Sequence, residues 1–246
     1  MDARQTAARA LAALDLTSLN DSDDEAAVAK LCARANTRHG TVAAVCVWPR
    51  FAGTAKAALG RTAIKVACVA NFPGGSDARA EILDLVRRAL ADGADEIDLV
   101  FPYREWLRGE TVKAETMVAS VKEICGAKKL KLILETGAFP DRARLASACK
   151  IAREAGADML KTSTGKIAAG ATAEAARVLL EAGGGFKASG GVRTLEDAAL
   201  YLGLAEEIRG PGWATPDNFR IGASGLLDLL LATLDGTAAI AARHGY

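Results

Sequence analysis

Ser76-Asp-Ala-Arg-Ala-Glu-Ile-Leu-Asp-Leu-Val-Arg-Arg-Ala-Leu-Ala-Asp-Gly-Ala-Asp-Glu-Ile-Asp-Leu-Val-Phe101 is one period of a pattern that runs the length of the chain. Ile82, Leu83, Val86, Ala89 and Leu90 recur at helical spacing, which predicts a helix over 76–92 with one apolar face, and Gly93 stops it. The segment 96–101 that follows is short and largely apolar, and predicts a strand.

Working outward, similar apolar runs occur at 13–17, 42–48, 64–71, 130–135, 158–161, 185–188 and 219–222, separated by amphipathic segments. Most are continuous instead of alternating, as in a parallel sheet covered on its outer face. Thr194-Leu-Glu-Asp197 has the form of a capping box that opens another helix. Asp21, Asp23, Asp24 and Glu25 crowd the start of an earlier helix, where they suit its dipole. Eight βα units in 246 residues predict an α/β fold, a (β/α)8 TIM barrel over 1–246 as a single domain with a short N-terminal helix and a C-terminal tail. An open doubly wound sheet is the alternative. Such a sheet usually carries a glycine fingerprint after its first strand, and here Thr17-Ser-Leu-Asn20 follows instead.

Composition narrows the function. A formal net charge of +1 gives no global field for nucleic acid or an anionic membrane surface. No stretch reads as a signal peptide or reaches spanning length. Cys32, Cys46, Cys68, Cys125 and Cys149 are scattered without C-x-x-C spacing, which points to reduced thiols in a cytoplasmic protein. With His39 and His244 as the only histidines, no His-rich metal cluster can be built and no metal site is expected, an all-carboxylate site being the alternative.

In a barrel, chemistry gathers where the strands end. Reading those ends gives Asp15, Cys46, Asn71, Asp98, Glu135, Lys161, Lys187 and Ser224, a more polar set than core filling requires. Lys161, in Met159-Leu-Lys-Thr-Ser-Thr-Gly-Lys166, and Lys187, in Gly185-Phe-Lys-Ala-Ser-Gly-Gly191, each close an apolar run. An interior lysine must be paired or lose its proton, and two close together repel. A neutral amine is the nucleophile that imine chemistry needs. If Ile97 and Leu99 face the helices, Asp98 points inward toward those lysines. Asp15, in Leu14-Asp-Leu-Thr17, repeats the pattern, and Glu135 is a third carboxylate or a buffer for the lysines. Gly190, Gly191 and the Gly222-Ala-Ser-Gly225 turn follow the seventh and eighth strands, where backbone N–H groups bind phosphate in this fold, although glycines there also serve simply as turns. Cys46 is either a pocket thiol or a small apolar residue, and Tyr246 either folds over the barrel mouth or is a free terminus.

Together, Asp15-Leu-Thr-Ser-Leu-Asn20, Glu96-Ile-Asp-Leu-Val-Phe-Pro102, Leu132-Ile-Leu-Glu-Thr-Gly137, Lys161-Thr-Ser-Thr-Gly-Lys166, Gly185-Phe-Lys-Ala-Ser-Gly-Gly-Val-Arg193 and Arg220-Ile-Gly-Ala-Ser224 resemble the deoxyribose-phosphate aldolases over nearly the whole chain. The resemblance implies a class I aldolase that cleaves 2-deoxy-D-ribose 5-phosphate to acetaldehyde and D-glyceraldehyde 3-phosphate, reversibly, in deoxyribonucleotide catabolism. It implies no metal and no organic cofactor, small phosphosugar and aldehyde substrates, a cytoplasmic location and a homo-oligomer, dimeric or larger. By motif, Lys161 forms the imine, Lys187 perturbs it and Asp98 transfers protons. Asp15 would hold the network or the sugar hydroxyls, and Gly190, Gly191, Ser224 and Gly225 would hold the phosphate with Lys166 nearby. Some family members have two serines where this chain has Ser224-Gly225, and proline where it has Ala188. The residues alone leave open another imine-forming lyase and a non-catalytic barrel that binds sugar phosphates.

Overall fold

The computed structural model describes residues 1–167 and 169–237. Its eight parallel strands close into a barrel in sequence order. They are β1 (Leu14–Thr17), β2 (Ala44–Val47), β3 (Lys65–Ala70), β4 (Glu96–Val100), β5 (Lys129–Ile133), β6 (Met159–Lys161), β7 (Gly185–Ser189) and β8 (Phe219–Ala223). β8 returns to pair with β1, with Asp15 beside Gly222. The expected barrel is therefore observed, and the open-sheet alternative falls away.

Helix α1 (Ala3–Ala12) precedes the barrel, and α2 (Glu25–Ala35) leads from β1 to β2 through a two-stranded ribbon of 36–37 and 40–41. After it come α3 (Ala52–Leu59), α4 (Arg79–Ala91), α5 (Tyr103–Leu107), α6 (Thr111–Cys125), α7 (Arg142–Glu154), α8 (Ala173–Glu181), α9 (Leu195–Arg209) and α10 (Leu226–Leu234). Ile82, Val86 and Ala89 are the buried face of α4, as their spacing predicts, and Gly93 follows with φ +108°. Thr194 and Asp197 form the expected capping box on α9. The acidic run before α2 divides its work. Asp24 caps the helix, whereas Asp23 accepts hydrogen bonds from Ser18 and Asn20 and ties down the loop after β1.

Strand alternation decides what enters the barrel. Leu14 and Leu16, Ile97 and Leu99, and Leu130 and Leu132 belong to the apolar layer against the helices, so Asp15, Asp98 and Lys131 between them face the axis. On the β2 and β3 side the interior is small and apolar, with Ala44, Cys46, Ala67 and Val69 packed against Leu19. The rest is filled by charge: Asp15, Glu96, Asp98, Lys131, Lys161, Lys187 and Arg220 are all buried. Barrels of this kind are ordinarily packed with Val, Ile and Leu. Seven ionisable groups at the axis cost too much to be incidental unless each is paired or loses its charge.

Candidate active site

Register brings the charges together. Lys161 lies beside Lys187 on β6 and β7, Asp98 beside Lys131 on β4 and β5, and Arg220 beside Lys187 on β8 and β7. The Asp98 carboxylate accepts from three amines: Lys131 Nζ at 2.8 Å on Oδ1, and Lys161 Nζ at 2.9 Å and Lys187 Nζ at 2.8 Å on Oδ2. Asp15 Oδ2 takes Lys187 Nζ at 2.5 Å and lies 3.3 Å from Lys131 Nζ, while its Oδ1 accepts from Arg220 at 2.6 Å. Glu96 is gripped through both oxygens by Arg220, at 3.0 and 2.7 Å, and reaches Lys131 at 2.5 Å. Gly222 makes room for this arrangement, since a Cβ there would lie 3.0 Å from Lys187 Cε.

Counting charges separates the two lysines. Three carboxylates face four cationic side chains, so three cations suffice for neutrality and one amine is in surplus. Lys131 touches Asp15, Glu96 and Asp98; Lys187 touches Asp15 and Asp98; Arg220 touches Asp15 and Glu96. Among the described residues Lys161 has Asp98 alone, which it shares with two others. Burial opposes the charged form of Lys187, but Asp15 and Asp98 outweigh it and raise its pKa. Burial opposes the charge of Lys131 too, and Asp15, Asp98 and Glu96 hold it well above the ordinary lysine value. For Lys161 burial wins: it lowers the pKa, Asp98 resists, and the Lys187 ammonium pushes further in the same direction. The acids complete the picture. Burial would raise Asp15, Asp98 and Glu96, yet the neighbouring cations hold all three below the usual carboxylate range.

Lys161 is also the member that meets solvent space. It lines a cavity of about 490 Å³ at the carboxyl ends of β1 and β6–β8, within the range of small-molecule sites. Gly190, Gly191, Ser224, Gly225 and Lys166 line the same cavity, so the expected phosphate residues and the amine share one space. Gly190 and Gly191 have φ near +90°, a conformation that glycine adopts without strain. Gly225 begins α10 with no side chain capping it, which leaves the first amides of that helix turned to the cavity end. Lys166 donates to the carbonyl of Leu19 at 2.9 Å and so bridges the loops after β6 and β1 at the rim.

Asp98, Asp15 and Lys187 lie beneath the cavity and do not line it. Both oxygens of Asp15 are engaged by cations, which ties it to the network and not to hydroxyls in the cavity. Glu135 stands apart from the lysines. It adopts φ +55°, and its carboxylate accepts from the backbone of Thr164, bracing the loop after β6. Asn71 likewise serves its own loop by donating to Ser76 and Val100. Cys46 is fully buried in the apolar part of the interior, where burial, then Asp98, raises its thiol pKa. Tyr246 lies outside the described residues.

Sequence reading missed Lys131 altogether and gave Glu96 and Arg220 no role. The alternation that turned Asp98 inward applies equally to Lys131 between Leu130 and Leu132, and to Glu96 two residues before Asp98. Arg193, whose motif was noted without a role, also lines the cavity and adds a cation beside the residues expected to hold phosphate.

Comparison with known proteins points the same way. The family described as DeoC/LacD family aldolase matches residues 9–227. A deoxyribose-phosphate aldolase of Agrobacterium fabrum is 47% identical over 251 residues, covering 99% of this chain and 97% of that protein. A Toxoplasma gondii ME49 protein, crystallised as a candidate deoxyribose-phosphate aldolase, superposes with a TM-score of 0.87 at 26% identity over 97% of each chain. The deoxyribose phosphate aldolase of Aeropyrum pernix, described as a unique tetramer, gives a TM-score of 0.73 at 26% identity over 94% of this chain and 97% of that one. No helix among the described residues is long and apolar enough to cross a membrane.

Proposed function

The chain belongs to the DeoC/LacD family of aldolases, and from that premise we propose that it cleaves 2-deoxy-D-ribose 5-phosphate reversibly to acetaldehyde and D-glyceraldehyde 3-phosphate through an imine on Lys161. The observation that carries the assignment of the amine is the charge count: Lys161 is the surplus cation, and it alone of the four reaches the cavity.

A lysine at its ordinary pKa is about one part in a thousand neutral near pH 7, and lowering that pKa by ~3 units takes ~4 kcal/mol of differential stabilisation. Burial together with a neighbouring ammonium can supply this. The Lys161 amine adds to C1 of the open-chain sugar, and loss of water leaves an iminium. A base takes the C3 hydroxyl proton, the C2–C3 bond breaks, and its electron pair flows to the iminium nitrogen. Glyceraldehyde 3-phosphate leaves and an enamine remains. Protonation at C2 and hydrolysis then release acetaldehyde and restore the amine. Asp98, through a water, is the carboxylate we assign to the proton transfers. Lys187 keeps the Lys161 amine neutral, and Asp15 holds Lys187. The phosphate sits on Gly190, Gly191, Ser224 and Gly225, with Lys166 and Arg193 at the rim. By the same family membership we read the protein as cytoplasmic and as a homo-oligomer.

Incubating the protein with 2-deoxyribose 5-phosphate and borohydride should leave one reduced adduct, on the tryptic peptide bearing Lys161. An adduct formed only with ketose phosphates would assign a different lyase, and no adduct with any sugar would leave a binding protein. Ser224→Asp sets a carboxylate at the cavity edge beside the α10 N-terminus. It should raise KM for the phosphorylated sugar at least ~10-fold while leaving unphosphorylated deoxyribose nearly unaffected, because like charges a few ångströms apart repel. Equal losses for both sugars would move the phosphate site elsewhere.

A further inference from the structure

Arg220 and Glu96 are buried members of the charge cluster, and neither lines the cavity. Their paired geometry, with both Glu96 oxygens held by one guanidinium, resembles a structural ion pair. It differs in one respect. Arg220 also holds Asp15, and Glu96 also holds Lys131, so the pair is wired into the two groups that surround Lys187 and Asp98. In a cluster this tightly coupled the protons belong to the set, so a charge added or removed at one member shifts the titration of the others.

We propose that Arg220 and Glu96 are positioning residues for the aldol chemistry: their pairing balances the charge beneath Lys161, so that three cations answer three carboxylates and the fourth amine is left neutral. The inference rests on the reading of Lys161 as the nucleophile. Removing the Arg220 charge leaves three carboxylates with Lys131 and Lys187, and Lys161 becomes the needed third cation. Removing the Glu96 charge has the opposite effect, because Asp15 and Asp98 then face three cations already. The other groups around Lys161 are constant in this comparison: Asp98 on β4, Lys131 on β5, Lys187 on β7, Asp15 on β1, Cys46 on β2, and Lys166 in the loop after β6.

The test is the pH dependence of borohydride trapping of acetaldehyde on Lys161, read by peptide mass spectrometry beside the pH profile of kcat/KM. Arg220→Met should move the acid midpoint upward by on the order of half to one pH unit, and Glu96→Gln downward by a similar amount. The double variant, in which the charges again balance, should return to the wild-type midpoint. Either single change strands a buried charge, so Glu96→Asp, which keeps the charge, is a gentler control and should leave the midpoint in place. Midpoints that coincide in all soluble variants, or shifts of the same sign for Arg220→Met and Glu96→Gln, would reduce the pair to a structural role. If the singles do not fold, a double variant with a displaced midpoint overturns the proposal. A wild-type protein with no adduct on Lys161 would instead remove the underlying assignment.

Discussion

Lys161→Ala is expected to leave a folded protein that forms no borohydride-trapped adduct and cleaves deoxyribose phosphate at least ~10⁴-fold more slowly, the scale of loss seen when a covalent nucleophile is deleted. That the variant stays folded is the more demanding part of that expectation. Truncating one partner of a buried ion pair ordinarily destabilises by about 3–5 kcal/mol, because the remaining charge is stranded. Lys161 is different. Without it, Asp15, Glu96 and Asp98 still face Lys131, Lys187 and Arg220. The truncated side chain opens onto the cavity, so water can fill the space it leaves. Chemical denaturation should therefore show Lys161→Ala within about 1 kcal/mol of the parent, whereas Lys131→Ala should lose about 3–5 kcal/mol. A Lys161 variant as unstable as the Lys131 variant would mean that the Lys161 charge is structural, and the charge count would be wrong.

The architecture was legible because each strand and helix carries its own signal. Ile82, Val86 and Ala89 mark the buried face of α4 by spacing alone, and the Leu–Asp–Leu of β1 tells which side chain faces the axis. Depth along the axis carries no such signal. Lys129 and Lys131 lie on the same face of β5, and a sequence reader sees Lys-Leu-Lys-Leu as a half-exposed strand. Lys129 indeed lies at the barrel end, where its amine donates to the carbonyl of Asp217, whereas Lys131 two residues on is sealed inside. Glu135 misled in the opposite way. It looked like the acidic end of a strand, but the chain has already left β5 and turned left-handed, at a cost of roughly 1–2 kcal/mol for a residue with a Cβ. Nor could the residues alone rank Lys161 against Lys187, since each ends an apolar run before a small-residue turn. The ranking needs the number of carboxylates within reach of each amine, and these come from β1 and β4, far off in sequence.

Lys187→Leu is expected to lower kcat/KM near pH 7 by ~10²–10³-fold and to move the acid limb of the pH profile to higher pH. The direction follows from the same count. With the Lys187 ammonium gone, Asp98 and Asp15 each lose a partner, and Lys161 becomes the third cation for three carboxylates. The charged form of Lys161 is then favoured and its pKa rises. Each unit of rise lowers the neutral fraction about tenfold at a fixed pH below it, so two to three units account for the expected loss. The loss should shrink as pH climbs, because hydroxide restores the amine that the missing ammonium no longer maintains. That recovery separates two roles for Lys187. If it acts by its charge, the variant approaches parental activity at high pH with a displaced midpoint. If its proton is handed directly to the substrate or an intermediate, the deficit persists at every pH and the midpoint stays where it was. Measuring trapping and turnover side by side sharpens the division, since trapping requires only the neutral amine of Lys161 while turnover requires every proton transfer. A midpoint that moves for both, by the same amount, is the signature of a residue whose work is done through Lys161.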